Sequence, residues 1–282
     1  MIFLIVLAFI WLIIASYLDL KKREIPNWLN FSLVIFALAY RAFYASINSD
    51  LWFFINGLIG FGILFIIANL FYYGRVFAGG DAKLLMALGV ILPFSSLLVS
   101  NLVVLAVFVF LLLLSGSIYG LLYSFVLVLM NKKKFSAEVK KQFKKKKKIF
   151  KLAFLFFIAF FIIVFLLNFY LGEISLFVLP FLILLYPFLF VYAKAVEESC
   201  MIKLVNTKDL TEGDWLYQAV KFKGRKIIPN WEGLSLEEIK LLKKGNKKVL
   251  VKQGIPFVPS FLIAFLLLIL GYSKILYGFF VP

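Results

Sequence analysis

The chain reads as an all-α polytopic membrane bundle. About eight transmembrane helices are expected, with the N-terminus outside and a small α+β cytoplasmic domain before the last helix. Three observations predict this. Hydrophobic residues make up 64% of the 282 and charged residues 16%, whereas a soluble domain holds about half and about a quarter. Apolar runs recur at the length of about 20 residues that a helix needs to cross the hydrocarbon core. Lysine and arginine gather in alternate loops, as the positive-inside rule requires.

The runs come in order. The first, Ile2 to Leu18, closes on Asp19-Leu20-Lys21-Lys22-Arg23. Its lysines follow the apolar stretch instead of preceding it, so it is expected to be a retained helix and not a cleaved signal. Run two covers Trp28 to Ala45 and run three Leu51 to Tyr73. The segment Gly74 to Asp81 breaks the pattern, and a short run from Ala82 ends at Pro93. A longer run, Ser96 to Met130, has room to tilt or to bend near Ser115-Gly116. A lysine-rich block follows, then a hairpin of two runs, Ile149 to Leu171 and Ile174 to Ala195, turning at Gly172-Glu173. The final run starts near Ile255-Pro256.

This organisation predicts five regions. They are a transmembrane bundle over 1–130, a basic cytoplasmic loop over 131–148, an additional hairpin over 149–196, a small cytoplasmic domain over 197–254 and a C-terminal helix over 255–282. Within the small domain, Trp215 to Ile228 suggests a hairpin around Lys223-Gly224. Ser235-Leu236-Glu237-Glu238 has capping-box spacing and opens a short helix ending at Gly245, and Lys248 to Lys252 alternates like a strand.

Composition also narrows the chemistry. The formal net charge is +17. With the lysines blocked between apolar runs, anionic lipid head groups are the expected counter-charge, and no nucleic-acid partner is expected. One cysteine, Cys200, and no histidine exclude an intrachain disulfide, a thiolate or imidazole metal cage, and histidine acid–base catalysis. Hydrolytic chemistry would then rest on Asp, Glu, Ser, Lys or Tyr, with no cofactor or metal expected.

Of 14 acidic residues, four precede residue 130: Asp19, Glu24, Asp50 and Asp81. Asp50 lies in an outside loop and Glu24 in the basic loop after the first helix. Asp19 ends an apolar helix where the membrane begins, and Asp81 starts one after a glycine pair. The alternating topology puts both at the cytoplasmic ends of their helices, at one depth. Ionisable groups at membrane depth are costly and usually functional. Plainer roles also fit the spacing: a helix cap for Asp81, and for Asp19 an ion pair with Lys22 or Arg23, one turn on.

The company these residues keep favours chemistry. Asp19-Leu20-Lys21-Lys22-Arg23-Glu24-Ile25-Pro26-Asn27 resembles the first catalytic segment of the type IV prepilin peptidase family. Ala78-Gly79-Gly80-Asp81-Ala82-Lys83-Leu84-Leu85-Met86-Ala87-Leu88-Gly89 resembles its second, the Gly-x-Gly-Asp motif. The lysine-rich insertion and Gly254-Ile255-Pro256-Phe257-Val258-Pro259 look like the archaeal branch, which processes preflagellins and prepilins. The resemblance is good over 1–93, weaker for the last helix and absent over 145–195.

The resemblance implies a membrane aspartic endopeptidase of the cell membrane, multi-pass, acting at the cytoplasmic face. It removes the short basic leader from prepilin-like or preflagellin precursors. Asp19 and Asp81 would be catalytic, one carboxylate as general base for water and the other, protonated, as acid. Gly79, Gly80, Lys83, Pro26 and Asn27 would support the motif, and Glu24, with Glu197 and Glu198 as further candidates, would receive part of the leader. Asp81, at a helix N-terminus beside Lys83, is expected to be the more acidic partner. Lys83 has an equal claim as a snorkelling membrane anchor.

Two departures stand out. Ala78 replaces the first motif glycine, and the cysteine-rich segment of the bacterial branch is missing, so no methyltransferase activity is expected. A transporter, a scaffold or a presenilin-like protease also fits a polytopic bundle. The first would show paired halves with broken helices near the midplane, and the last would hold both aspartates within helices and not at their cytoplasmic ends.

Overall fold

A computed structural model describes residues 1–171, 179–222, 225–230, 232–245 and 248–280. The predicted turn at Gly172-Glu173 and the tip of the 223–224 hairpin lie outside the described residues. The eight apolar runs appear as α1 (Ile2–Lys22), α2 (Asn27–Asn48), α3 (Leu51–Tyr73), α4 (Gly79–Ile91), α5 (Leu98–Met130), α7 (Lys147–Leu171), α8 (Leu179–Cys200) and α10 (Val258–Phe280). The protein is a multi-pass membrane bundle: among the described residues, six of these helices are long and apolar enough to cross a bilayer.

α4 departs from the expected eight spans. It has 13 residues, or about 20 Å at 1.5 Å per residue, against a hydrocarbon core of about 30 Å. It does not span by itself. It is packed inside the bundle, with Ala82, Leu84, Leu85 and Ala87 to Ile91 all buried. Glycines make this possible. A Cβ placed on Gly89 would lie 2.5 Å from the Gly60 carbonyl oxygen of α3, so the α3 and α4 backbones touch. Without a hydrophobic drive between helices in lipid, such close backbone approach is what holds them together.

The chain divides into two compact units, Met1–Leu122 with Ile255–Pro282, and Tyr123–Gly254. The first therefore takes in the C-terminal helix, which lies far away in sequence. Ser115 Oγ donates to the Ser260 carbonyl at 3.0 Å. A Cβ on Gly116 would lie 2.5 Å from Phe257 Cζ. Ser115 and Gly116 thus form a seat for the start of α10, and α5 runs through them as one continuous helix.

In the second unit, the basic block expected as a loop is the helix α6 (Lys132–Lys145). It folds because its apolar residues have a surface to cover. Phe135 meets the Tyr192 ring edge-on at 5.7 Å, and Phe143 stacks on Phe150 at 5.1 Å. Lys132, Lys133, Lys134, Lys140, Lys141, Lys144 and Lys145 remain exposed.

The small domain has the expected helix and last strand, a hairpin shorter than expected, and further elements before it. β1 (Ile202–Asn206) and β2 (Trp215–Leu216) both pair antiparallel with β5 (Lys248–Lys252). β3 (Val220–Phe222) and β4 (Arg225–Ile227) form the hairpin. α9 (Leu236–Lys243) opens on the Ser235–Glu238 capping box. Leu216, Ile239, Leu242, Val249 and Val251 are buried between them. Glu197 ties α8 to this sheet by accepting from Lys194 and Lys252, and Glu198 accepts from Tyr217 Oη at 2.7 Å.

Candidate active site

Five helix ends meet at one end of the first unit: the C-termini of α1 and α3 and the N-termini of α2, α4 and α10. α1 runs one turn past Asp19 and stops at Arg23, which adopts a left-handed conformation with φ 59°. A non-glycine residue there ends the helix and turns the chain toward α2. Pro26 caps the start of α2 in extended conformation, φ −64°, as proline suits a helix entrance. On the other side, Gly74 to Ala78 connect α3 to α4, and Phe77 inserts between Phe257 and Phe261 at ring distances of 5.3 and 5.8 Å. That aromatic contact brings the α10 start beside the α3–α4 turn.

Asp19 is 6% exposed. Its Oδ2 accepts the Val258 N–H at 2.9 Å, so an α10 amide with no intrahelical partner is satisfied by a carboxylate 239 residues away. Asp81 lies in the first turn of α4, and its Oδ2 accepts the Ala78 N–H at 3.2 Å. The two carboxylates are near enough for each to feel the other's charge. Asp19 stands in the last turn of α1 and Asp81 in the first turn of α4, within reach of its charge. The capping role weighed for Asp81 is realised. The same side chain caps α4 and feels the charge of Asp19.

Neither argument for acidic Asp81 separates the pair. Asp19 also sits at a helix N-terminus, that of α10. Lys83 turns away to Asn27, its Nζ donating to Asn27 Oδ1 at 2.7 Å. Arg23 is close enough for its charge to act on Asp19. Glu24 is exposed in the bend between α1 and α2.

Ala78 needs no special conformation. It takes φ −73° and ψ 163°, extended backbone that any residue adopts. Gly79 has no crowding to relieve, since a Cβ there would meet only Tyr72 Cε2 at 3.7 Å. Gly80 is tighter, 3.3 Å from Ile25 Cβ. Ala78→Gly is therefore expected to leave any activity within about twofold and to lower stability slightly, by about 0.5–1 kcal/mol, through added unfolded-state freedom. Thermal unfolding beside an activity assay checks this. A large gain in either would show that the alanine strains the turn.

Sequence reasoning missed three contributors. The Val258 amide carries no side-chain signature, although Pro256 and Pro259 bracketing it mark a helix entrance. Asn30 is 2% exposed and donates to the Gly80 carbonyl at 3.4 Å. Its position three residues after Asn27 was the available clue. Ser16, one turn before Asp19, is buried with its Oγ unpartnered among the described residues. No group of three or more His, Cys, Asp or Glu among the described residues is arranged to hold a metal.

Residues 6–130 match the type IV leader peptidase family, a stretch that contains both aspartates. The chain is 39% identical over 84 residues to a preflagellin peptidase of Methanocaldococcus jannaschii, covering 30% of this chain and 36% of that protein. It is 37% identical over 86 residues to the prepilin peptidase EppA of Methanothermobacter thermautotrophicus, covering 30% and 22%. It is 37% identical over 83 residues to a preflagellin peptidase of Methanococcus maripaludis, covering 29% and 35%. The aligned stretch thus spans about a third or less of these relatives' lengths.

Proposed function

We propose, on the premise that residues 6–130 match the type IV leader peptidases, that the protein is an aspartic endopeptidase of the cell membrane. It removes the short basic leader from preflagellin or prepilin-like precursors at the cytoplasmic face. The observation that carries this reading is that Asp19 and Asp81, at opposite ends of two helices inside the matched region, lie within reach of each other's charge. Each is held by a backbone N–H on Oδ2. One carboxylate takes a proton from water as it attacks the scissile carbonyl. The other, protonated, donates to the carbonyl oxygen; as the tetrahedral intermediate collapses, the first carboxyl passes the water's proton to the leaving amine and the second takes its own proton back. Two carboxyls at catalytic distance cannot both ionise easily, so in this reading the pair shares one proton and titrates as a unit.

The substrate's hydrophobic stretch stays in the membrane and its basic leader emerges beside Glu24. Glu197 and Glu198 are not proposed for the leader, because they are engaged by Lys194, Lys252 and Tyr217. The exposed lysines of α6 rest on anionic head groups. Regions 1–130 and 255–282 carry the reaction, and 131–254 serves as an accessory insertion.

The test is leader removal in membranes by the wild-type protein, with a tagged preflagellin and a tagged prepilin offered separately. Shortening of one or both by the length of the leader is expected and identifies the substrate. No shortening of either, by abundant folded protein, sinks the reading.

A further inference from the structure

We infer that the first turns of α2 and α4 form a two-rung polar clamp that holds Asp81 in register with Asp19, with Asn27, Asn30 and Lys83 as positioning residues. The catalytic consequence rests on the peptidase reading, and the clamp's geometry does not. Lys83 Nζ donates to Asn27 Oδ1 at 2.7 Å, and Asn30 Nδ2 donates to the Gly80 carbonyl at 3.4 Å. Asn27 and Asn30 are three residues apart and share a face of α2. Gly80 and Lys83 have the same spacing on α4. Asp81 lies between the two attachment points.

The rungs differ in kind. The outer one is exposed, short and charge-assisted, the stronger type of hydrogen bond. The inner one is long and partly buried, and it leaves the buried Asn30 Oδ1 without a partner among the described residues. A buried amide with an unpaired oxygen is a destabilising feature that calls for a reason. Its contact with Gly80, the residue before Asp81, supplies one.

The need for a clamp follows from the local sequence. α4 begins on Gly79-Gly80, the residue type with most backbone freedom. First helical turns fray, and the two carboxylates repel whenever both are ionised. Ile25 of the α1–α2 bend packs against Gly80 and has no polar grip on it. The two rungs supply that grip, tying Asp81 to the helix that follows Asp19.

The full-length protein in detergent micelles provides the test, with hydrogen exchange at the amides of residues 82–84 and steady-state cleavage measured on the same preparations. Lys83→Met, Asn27→Leu and Asn30→Leu each remove a rung. Each is expected to speed exchange in the first turn of α4 by about 10-fold while the rest of the bundle keeps its protection. Each is also expected to lower kcat by about 10- to 100-fold with KM within about twofold, as misplacement of a reacting group does. Lys83→Arg and Asn27→Asp keep donor and acceptor and should restore most of both. Lys83→Met with Asn27→Leu should cost no more than either alone, because they share a rung, whereas Lys83→Met with Asn30→Leu should cost more. Unchanged exchange at 82–84 overturns the clamp, whatever the activity. Faster exchange with unchanged kcat overturns the positioning role. If the wild type cleaves no leader, the peptidase reading falls, while the exchange measurement still decides the clamp.

Discussion

Asp19→Asn and Asp81→Asn are each expected to lower leader removal by about 10³-fold or more, the scale on which a positioned acid or base contributes. Asparagine keeps the size of aspartate and an oxygen that can accept from the Val258 or Ala78 N–H. The fold should therefore survive, and the loss would report chemistry. The two groups act as one unit, so the double variant should be hardly worse than either single one. Single-turnover cleavage beside thermal unfolding of the same preparations is the measurement. Two variants that cleave at the wild-type rate would reduce Asp19 to an anchor for α10 and Asp81 to a helix cap.

Arg41→Met is expected to be the most damaging change away from the dyad. Arg41 is fully buried in α2 at the end of the bundle opposite the aspartates. Its guanidinium donates to the carbonyls of Val90 at 2.6 Å, Ile91 at 3.2 Å, Pro93 and Phe53. Three of these acceptors are at or just beyond the C-terminus of α4, where carbonyls have no intrahelical donor. The dipole of α4 also favours a cation there. The planar fork matches several oxygens at once, which lysine cannot do, and Phe53 lies 4.5 Å under it.

Methionine fills the volume and pairs none of those oxygens. With no water at hand in the bilayer, the loss is expected to be roughly 3–5 kcal/mol, typical when one side of a buried charged contact is removed. Arg41→Lys should recover part of it. Unfolding of purified variants in detergent would show this as a drop of about 10 °C or more in midpoint for Arg41→Met. An unchanged midpoint would mean that α4 is held by its glycine contact with α3 alone. Gly57 belongs to the same arrangement, since a Cβ there would come within 2.7 Å of Arg41 Nε.

These two positions show where reading the sequence succeeds and where it stops. Asp19 and Asp81 were legible because each carries a local signal, a carboxylate at the end of an apolar run with glycine, proline and lysine at fixed offsets. Arg41 sits inside the second run and had no such signal. Its partners are backbone carbonyls, which every residue has, so nothing in their sequence marks them. The same limit hid Asn30, whose acceptor is the carbonyl of Gly80.

By itself the sequence determined what is set within a few turns of chain. The apolar runs had to become helices, because unpaired backbone is excluded from lipid. Ser235 and Glu238 had to open a helix, because the capping box closes over four residues. That Asp19 and Asp81 lie at the same end of the bundle could be anticipated from alternating topology. Only the tertiary structure decided how the bundle is fastened: Val258 on Asp19 and Lys83 on Asn27 at the aspartate end, and a short α4 held inside by Gly60, Gly89 and Arg41 toward the other. Lipid makes every apolar helix face equally acceptable. The choice of neighbour therefore falls to small residues and a few buried polar groups, and their partners appear only when distant segments are brought together.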